Sequence, residues 1–212
     1  MEKAEKTKGA VNLFNKYADK YQDKFMDVSL YHDTLDIFCN AIQKRGASIL
    51  ELACGPGNIT KYLLDKRPDL QIHGTDLAPN MVELAKINNP TATFEIMDCR
   101  EIYSVSKKYD ALMCGFCFPY LPKEDAIKLI SDAFNILSPG GVIYISTMED
   151  DYDKSGMKAG SAGDELFMHY HEGSYLVEAL EKTGFSMVEL KRQNFPTTDE
   201  SVVTDLILIA IK

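Results

Sequence analysis

The sequence predicts an α/β fold, a doubly wound, seven-stranded, mainly parallel sheet with an antiparallel last strand and a helical N-terminal cap. Three observations predict it. From Ala47 onward, short β-prone runs alternate with amphipathic helical stretches, the pattern of successive βαβ units. The first of these runs enters a glycine-rich turn, Ala53-Cys54-Gly55-Pro56-Gly57-Asn58, and a helix leaves it. The last run, Asp205–Ile211, is apolar at nearly every position and follows its predecessor with no helical pattern between them, which asks for a hairpin and a place inside the sheet.

The elements follow in order. Residues 9–44 carry spaced apolar and aromatic positions, among them Phe14, Tyr17, Tyr21, Phe25, Leu35 and Phe38, and read as two or three helices. Strands are expected at Ser48–Ala53, Gln71–Thr75, Thr93–Met97, Tyr109–Cys114, Val142–Ser146, Ser186–Lys191 and Asp205–Ile211. Helices are expected at Ile59–Lys66, Pro79–Ile87, Lys123–Leu137 and near Ser174–Thr183. This divides the chain into a cap, 1–44, and a main domain, 45–212, with a polar Asp/Gly/Ser-rich insert at about 148–172.

Composition narrows the function. The 212 residues carry a net charge of -9, and no long Lys/Arg run offers the basic face that nucleic acid requires. The reading is therefore a small-molecule partner, with no nucleic acid and no membrane; the oligomeric state is not legible. Five cysteines, an odd number lying mostly in apolar runs, read as reduced thiols of a cytoplasmic protein. Cys114 and Cys117 form a C-x-x-C, but no second pair stands at metal spacing, so no metal is expected.

The glycine turn carries the chemistry. Glycine lets backbone approach a ligand, and the helix that follows presents free N–H groups. A dinucleotide loop usually adds a third glycine three positions after the second; Thr60 stands there instead. Glu51, in the strand before the turn, could receive a cationic amino group. These features fit a ligand with an amino-acid end and no phosphates. Residues 49–60 resemble the first motif of the Rossmann-like, class I S-adenosylmethionine-dependent methyltransferases, and the motif order continues along most of the chain.

That resemblance implies a site. The stretch His73-Gly74-Thr75-Asp76-Leu77 ends a strand where the family places its ribose-binding acid, so Asp76 would hold ribose and Leu77 the adenine. Asp98 and Cys99 match the adenine-binding motif. Ala53, Gly55, Gly57, Met81 and Gly115 complete the implied cofactor set, with Tyr21 from the N-terminal helices near the sulfonium. The loop after the fourth strand, with Phe116, Phe118 and Tyr120, lacks the Asn/Asp-Pro-Pro-aromatic run of amide-directed relatives and resembles the small-molecule type. Those three residues, with Tyr170, are expected to shape the acceptor pocket. His169 and His171, on one face of an extended segment, are candidate general bases. The implied reaction is transfer of a methyl group to an O, N or C nucleophile of a small molecule. A non-catalytic binder of the same cofactor and a nicotinamide-dependent oxidoreductase are the alternatives.

Overall fold

The computed structural model describes residues 3–159, 164–196 and 202–212. Residues 160–163, inside the expected insert, lie outside the described residues, as do 197–201. The helices are α1 (Lys3–Lys16), α2 (Ala18–Phe25), α3 (His32–Ala41), α4 (Asn58–Lys66), α5 (Pro79–Asn88), α6 (Lys123–Ile136) and α7 (Gly173–Thr183). The strands are β1 (Ser48–Leu52), β2 (Gln71–Asp76), β3 (Thr93–Ile96), β4 (Tyr109–Gly115), β5 (Leu137–Glu149), β6 (Gly156–Ala159), β7 (Glu165–Met168), β8 (Ser186–Pro196) and β9 (Val202–Ile211).

Seven strands form one sheet in the order β3-β2-β1-β4-β5-β9-β8. The first five run parallel, and β9 lies antiparallel to both β5 and β8. The expected architecture therefore holds. The strand order reverses beside β1, where β4 takes its other edge, and ligands of open α/β sheets bind beyond the carboxyl ends at such a point.

The apolar alternation explains the layers. Leu112 and Cys114 of β4 join Ile143 and Ile145 of β5 and Leu206, Leu208 and Ala210 of β9 against α6 and α7. Ala111, Met113, Val142, Tyr144, Ile207 and Ile209 face the other way, onto α3 and α4. Being buried on both faces is why β9 reads as a continuous apolar run. Each such aliphatic side chain contributes about 1.5–3 kcal/mol on burial. α7 ends at Gly184 (φ 109), whose N–H and that of Phe185 return to the Leu180 carbonyl and close the helix.

One pairing was not expected. β6 and β7 form a separate two-stranded hairpin within the insert. Too short and too mixed to show a period of their own, they are held from outside: α1 packs on β7, with the Lys6 ammonium 3.4 Å over the Phe167 ring and Lys16 Nζ 3.6 Å from Asp164.

Candidate functional site

A cleft of about 860 Å³, mouth included, opens at the carboxyl edge of β1, β2, β3 and β4. Its floor is the turn after β1. Ala53 has φ 52 and Gly55 φ 54, and Gly57 follows at φ 77, so the chain takes three left-handed steps within five residues. Strain of this kind persists only where surroundings enforce it. Here Asp76 Oδ2 accepts from Gly55 N at 2.9 Å, Asn88 Nδ2 donates to Pro56 O at 2.9 Å, and Asn89 Nδ2 donates to Gly57 O at 2.9 Å. Asn58 Nδ2 ties the helix start to Phe25 O at 2.8 Å. A side chain at Gly57 would stand 2.3 Å from Asn89 Nδ2 and 3.3 Å from the Ala85 backbone. Glycine is thus required there by packing, and Gly57 does not line the cleft.

Glu51 is also placed differently from the sequence expectation. It is 1% exposed, lies under the turn, and accepts a short hydrogen bond from the Thr60 hydroxyl. Burial pushes its carboxyl up to about 7, against the opposing effect of Thr60. The residue that replaces the third glycine therefore supplies the partner of a buried acid. Glu51 anchors the turn and does not reach the cleft to receive an amino group.

The remaining cofactor-side expectations converge. Tyr21, Ala53, Gly55, Asp76, Leu77, Met81, Asp98, Cys99 and Gly115 all line the one cleft. Asp76 Oδ1 accepts from Ala78 N at 2.8 Å, so its carboxylate spans the ends of β1 and β2 and retains lone pairs for a ligand. Burial pushes its pKa up, against the backbone N–H groups that stabilise the charge. Asp98 is clasped by the Arg100 guanidinium, with Nε at 2.9 Å from Oδ1 and 3.0 Å from Oδ2. Leu77, Met81 and Met97 form an apolar wall that lines the cleft with the two carboxylates. Tyr21 stands over Gly55, the ring 3.7 Å from where a side chain there would begin. Burial, then the nearby Asp76 charge, pushes its hydroxyl up to about 12.

At the other end, Phe116 and Tyr120 line the cleft as expected, while Phe118 and Tyr170 do not. Phe118 points into the core at 0% exposure. Tyr170 belongs to the hairpin surface, with its N–H on Ser155 Oγ at 3.1 Å and Lys158 over its ring. His169 and His171 likewise do not line the cleft. His171 Nε2 meets the Phe118 carbonyl at 2.8 Å and Nδ1 meets the Tyr175 hydroxyl. His169 N donates to Pro119 O at 2.7 Å, and its Nδ1 lies 3.2 Å from Tyr152 Oη. Burial pushes both imidazoles down to about 4. The sequence placed them as bases facing the acceptor; the structure has them as neutral groups that hold the 118–119 backbone from beneath.

Several lining residues were not anticipated. Thr7, Ala10, Val11 and Phe14 close the cleft from above. Their spacing of three, one and three is a helical stripe, and that signal was present in the sequence. Met97, Arg100, Cys117 and Leu121 also line it; they sit in loops beyond strand ends, where no period marks them. Among the described residues no group of three or more His, Cys, Asp or Glu could hold a metal ion, and no helix is long and apolar enough to cross a membrane.

Residues 49–141 match the family described as "Methyltransferase domain". The chain is 33% identical over 118 residues to a malonyl-[acyl-carrier protein] O-methyltransferase of Ilyobacter polytropus, covering 54% of this chain and 42% of that one. It is 24% identical to the tRNA N(3)-methylcytidine methyltransferase trm141 of Schizosaccharomyces pombe, covering 87% and 86%. It is 31% identical over 99 residues to a trans-aconitate 2-methyltransferase of Variovorax paradoxus, covering 47% of this chain and 38% of that one. The chain spans about half the length, 42% to 45%, of several relatives it matches. In fold it is similar to magnesium protoporphyrin IX methyltransferase of Synechocystis PCC 6803, with a TM-score of 0.73 at 17% identity, covering 100% of this chain and 98% of that one.

Proposed function

We propose that this chain is a class I, Rossmann-like S-adenosylmethionine-dependent methyltransferase and that it methylates a small organic acceptor. One observation carries the reading: Asp76 and Asp98 meet in a single cleft with an apolar wall, and that cleft continues past Gly55 to Phe116 and Tyr120. The cleft fits the cofactor. Asp76 would take the ribose hydroxyls, Asp98 and the Cys99 backbone the adenine, and Leu77 and Met81 its faces. Gly55 leaves room for the amino-acid end below Tyr21. When bound, S-adenosylmethionine supplies a methyl already activated by its sulfonium, so the protein's work is alignment and exclusion of water. The 53–57 turn fixes one reactant, the Phe116–Leu121 loop faces the other, and α1 with Tyr21 covers both. Residues 1–44 thus act as the cap of a methyltransferase domain spanning 45–212, and His169 and His171 of the insert support the backbone at Phe118 and Pro119.

Small acceptors are favoured over RNA by charge. The net charge is -9, and the cation lining the cleft, Arg100, is engaged by Asp98. Five free thiols support a cytosolic site of action. The test is transfer of an isotopically labelled methyl from S-adenosylmethionine to a panel of small metabolites and to bulk tRNA. Label in the small-molecule pool supports the reading. Label in tRNA alone, or none with any acceptor while the cofactor binds tightly, contradicts it and favours an RNA enzyme or a sensor.

A further inference from the structure

The acceptor end of the cleft is walled by rings. Phe14, Tyr21, Phe116 and Tyr120 all line it. Phe14 meets Tyr120 edge to face at 5.2 Å and Tyr21 at 5.7 Å, centroid to centroid, so one ring braces two. Phe116 is held at φ 55 by bonds from its N–H to Ser146 O at 3.2 Å and Ser146 Oγ at 3.0 Å, and its ring rests 5.3 Å from that of Tyr31.

The lining groups that could take a proton are all committed. Among the described residues that line the cleft, the titratable side chains are two tyrosines, two cysteines, two aspartates and Arg100. Asp98 is clasped by Arg100, and Asp76 accepts from Gly55 N and Ala78 N and would take the ribose. Burial pushes the Tyr21 and Tyr120 hydroxyls up. A bond to Cys117, then burial, pushes the Cys99 thiol well up, and a bond to Cys114, then burial, does the same for Cys117. All four keep their protons near neutrality. His169 and His171 turn instead to Tyr152, Phe118 and Tyr175. The Asp98–Arg100 pair is neutral in sum, which leaves the Asp76 carboxylate as the net charge among these lining residues. One carboxylate and four ring faces favour a cation in the cleft, and burial disfavours an anion.

We propose that the cleft takes an acceptor whose nucleophile is an uncharged nitrogen, of an amine or a heteroaromatic ring, and that Phe14, Phe116 and Tyr120 hold the cation formed on it. This rests on the methyl-transfer reading and names its acceptor class. The nitrogen lone pair forms the bond to the methyl carbon, the methyl–sulfur bond breaks with its electron pair going to sulfur, and the positive charge passes from sulfur to nitrogen. Where that nitrogen carried a hydrogen, its proton leaves for water after the transfer, so no side chain has to remove it beforehand. A hydroxyl acceptor would need a base at the moment of attack. A carboxylate acceptor would meet Asp76, with Arg100 already held by Asp98.

The test uses three probes of one bicyclic shape: N-methylquinolinium as the product-like cation, quinoline as the neutral nitrogen base and 1-naphthoate as the anion. Each is titrated by NMR at neutral pH into the full chain saturated with S-adenosylhomocysteine. Wild type should bind the cation about tenfold more tightly than the anion, with quinoline between them. Tyr120→Leu should cut that ratio about three- to tenfold by removing a ring face. Phe14→Leu, a change in the α1 cap and not in the sheet core, carries the same test if Tyr120→Leu fails to fold. In the labelled-methyl assay, nitrogen acceptors of the panel should take label, and phenols and carboxylic acids should not. Naphthoate binding equal to or tighter than the cation, binding of no probe, a ratio unchanged in both variants, or label on oxygen acceptors alone overturns the proposal while leaving methyl transfer intact. Failure of wild type to bind S-adenosylhomocysteine overturns both.

Discussion

At the Gly55 end of the cleft, the chain is held by Asp76, Asn88 and Asn89, which bond directly to the backbone of the turn from 21 to 32 residues away. At the Phe118 end, the backbone is held by His171 from 53 residues away, and that histidine is in turn fixed by Tyr175. The first arrangement is made at the ends of adjacent parallel strands, by short polar side chains that need little ordering. The second needs the insert to fold back onto the turn at Phe118–Tyr120 before any of its bonds can form. The difference separates tasks: a constant ligand can be held by a fixed turn, whereas an acceptor is met by a loop whose support is assembled from distant chain.

This contrast can be broken at each end. The largest effect is expected at Gly57. Alanine there adds a side chain against Asn89 and Ala85 and strains a left-handed residue, costing about 2–4 kcal/mol in chemical unfolding. A loss below about 1 kcal/mol would mean the turn is not rigidly held.

Asp76→Ala should weaken S-adenosylhomocysteine by about 1.5–3 kcal/mol in calorimetry, the range for hydrogen bonds to a charged group. Because Asp76 also receives Gly55 N and Ala78 N, melting should fall as well. Lowered melting with unchanged affinity would leave Asp76 as a cap alone.

Acid should act on the other end. The folded-state pKa of His171 is held down to about 4 by burial, below the ordinary 6.5, so the unfolded chain binds the extra proton first. Its contribution is present above about pH 6.5, is lost as pH falls toward 4, and should cost about 2 kcal/mol between pH 7 and 5. Urea unfolding at the two pH values measures it, and His171→Gln should remove about half of the difference, since His169 is held down to about 4 as well. The double variant His169→Ala, His171→Ala should lower turnover more than cofactor affinity, because it loosens the loop and not the turn. An effect on affinity alone would reverse that assignment.

The smallest effect is expected at Arg100, whose side chain is 25% exposed. Arg100→Ala should cost about 1 kcal/mol or less in cofactor affinity, by freeing the Asp98 carboxylate. A larger loss would give Arg100 a direct contact with the ligand.

Much of the cofactor end was legible because its determinants are local. Gly55 and Asp76 each lie within a few residues of a strand end, and a turn that needs positive φ favours glycine, although Ala53 takes φ 52 without one. Glu51 misled because an acid in a strand reads the same whether it faces a ligand or Thr60. The acceptor end was less legible. His169 and His171 carry the chemistry of a base, but burial and partners decide whether they act as one, and these depend on contacts with Phe118 and Pro119 that no spacing reveals. The β6–β7 hairpin left no period because four-residue strands with one face on α1 do not make one.

The most direct measurement is calorimetric titration of the wild-type chain with S-adenosylmethionine, S-adenosylhomocysteine and a nicotinamide dinucleotide. The account predicts micromolar binding of the first two, about −8 kcal/mol, and no heat from the third. Tight dinucleotide binding with no response to S-adenosylmethionine would contradict it.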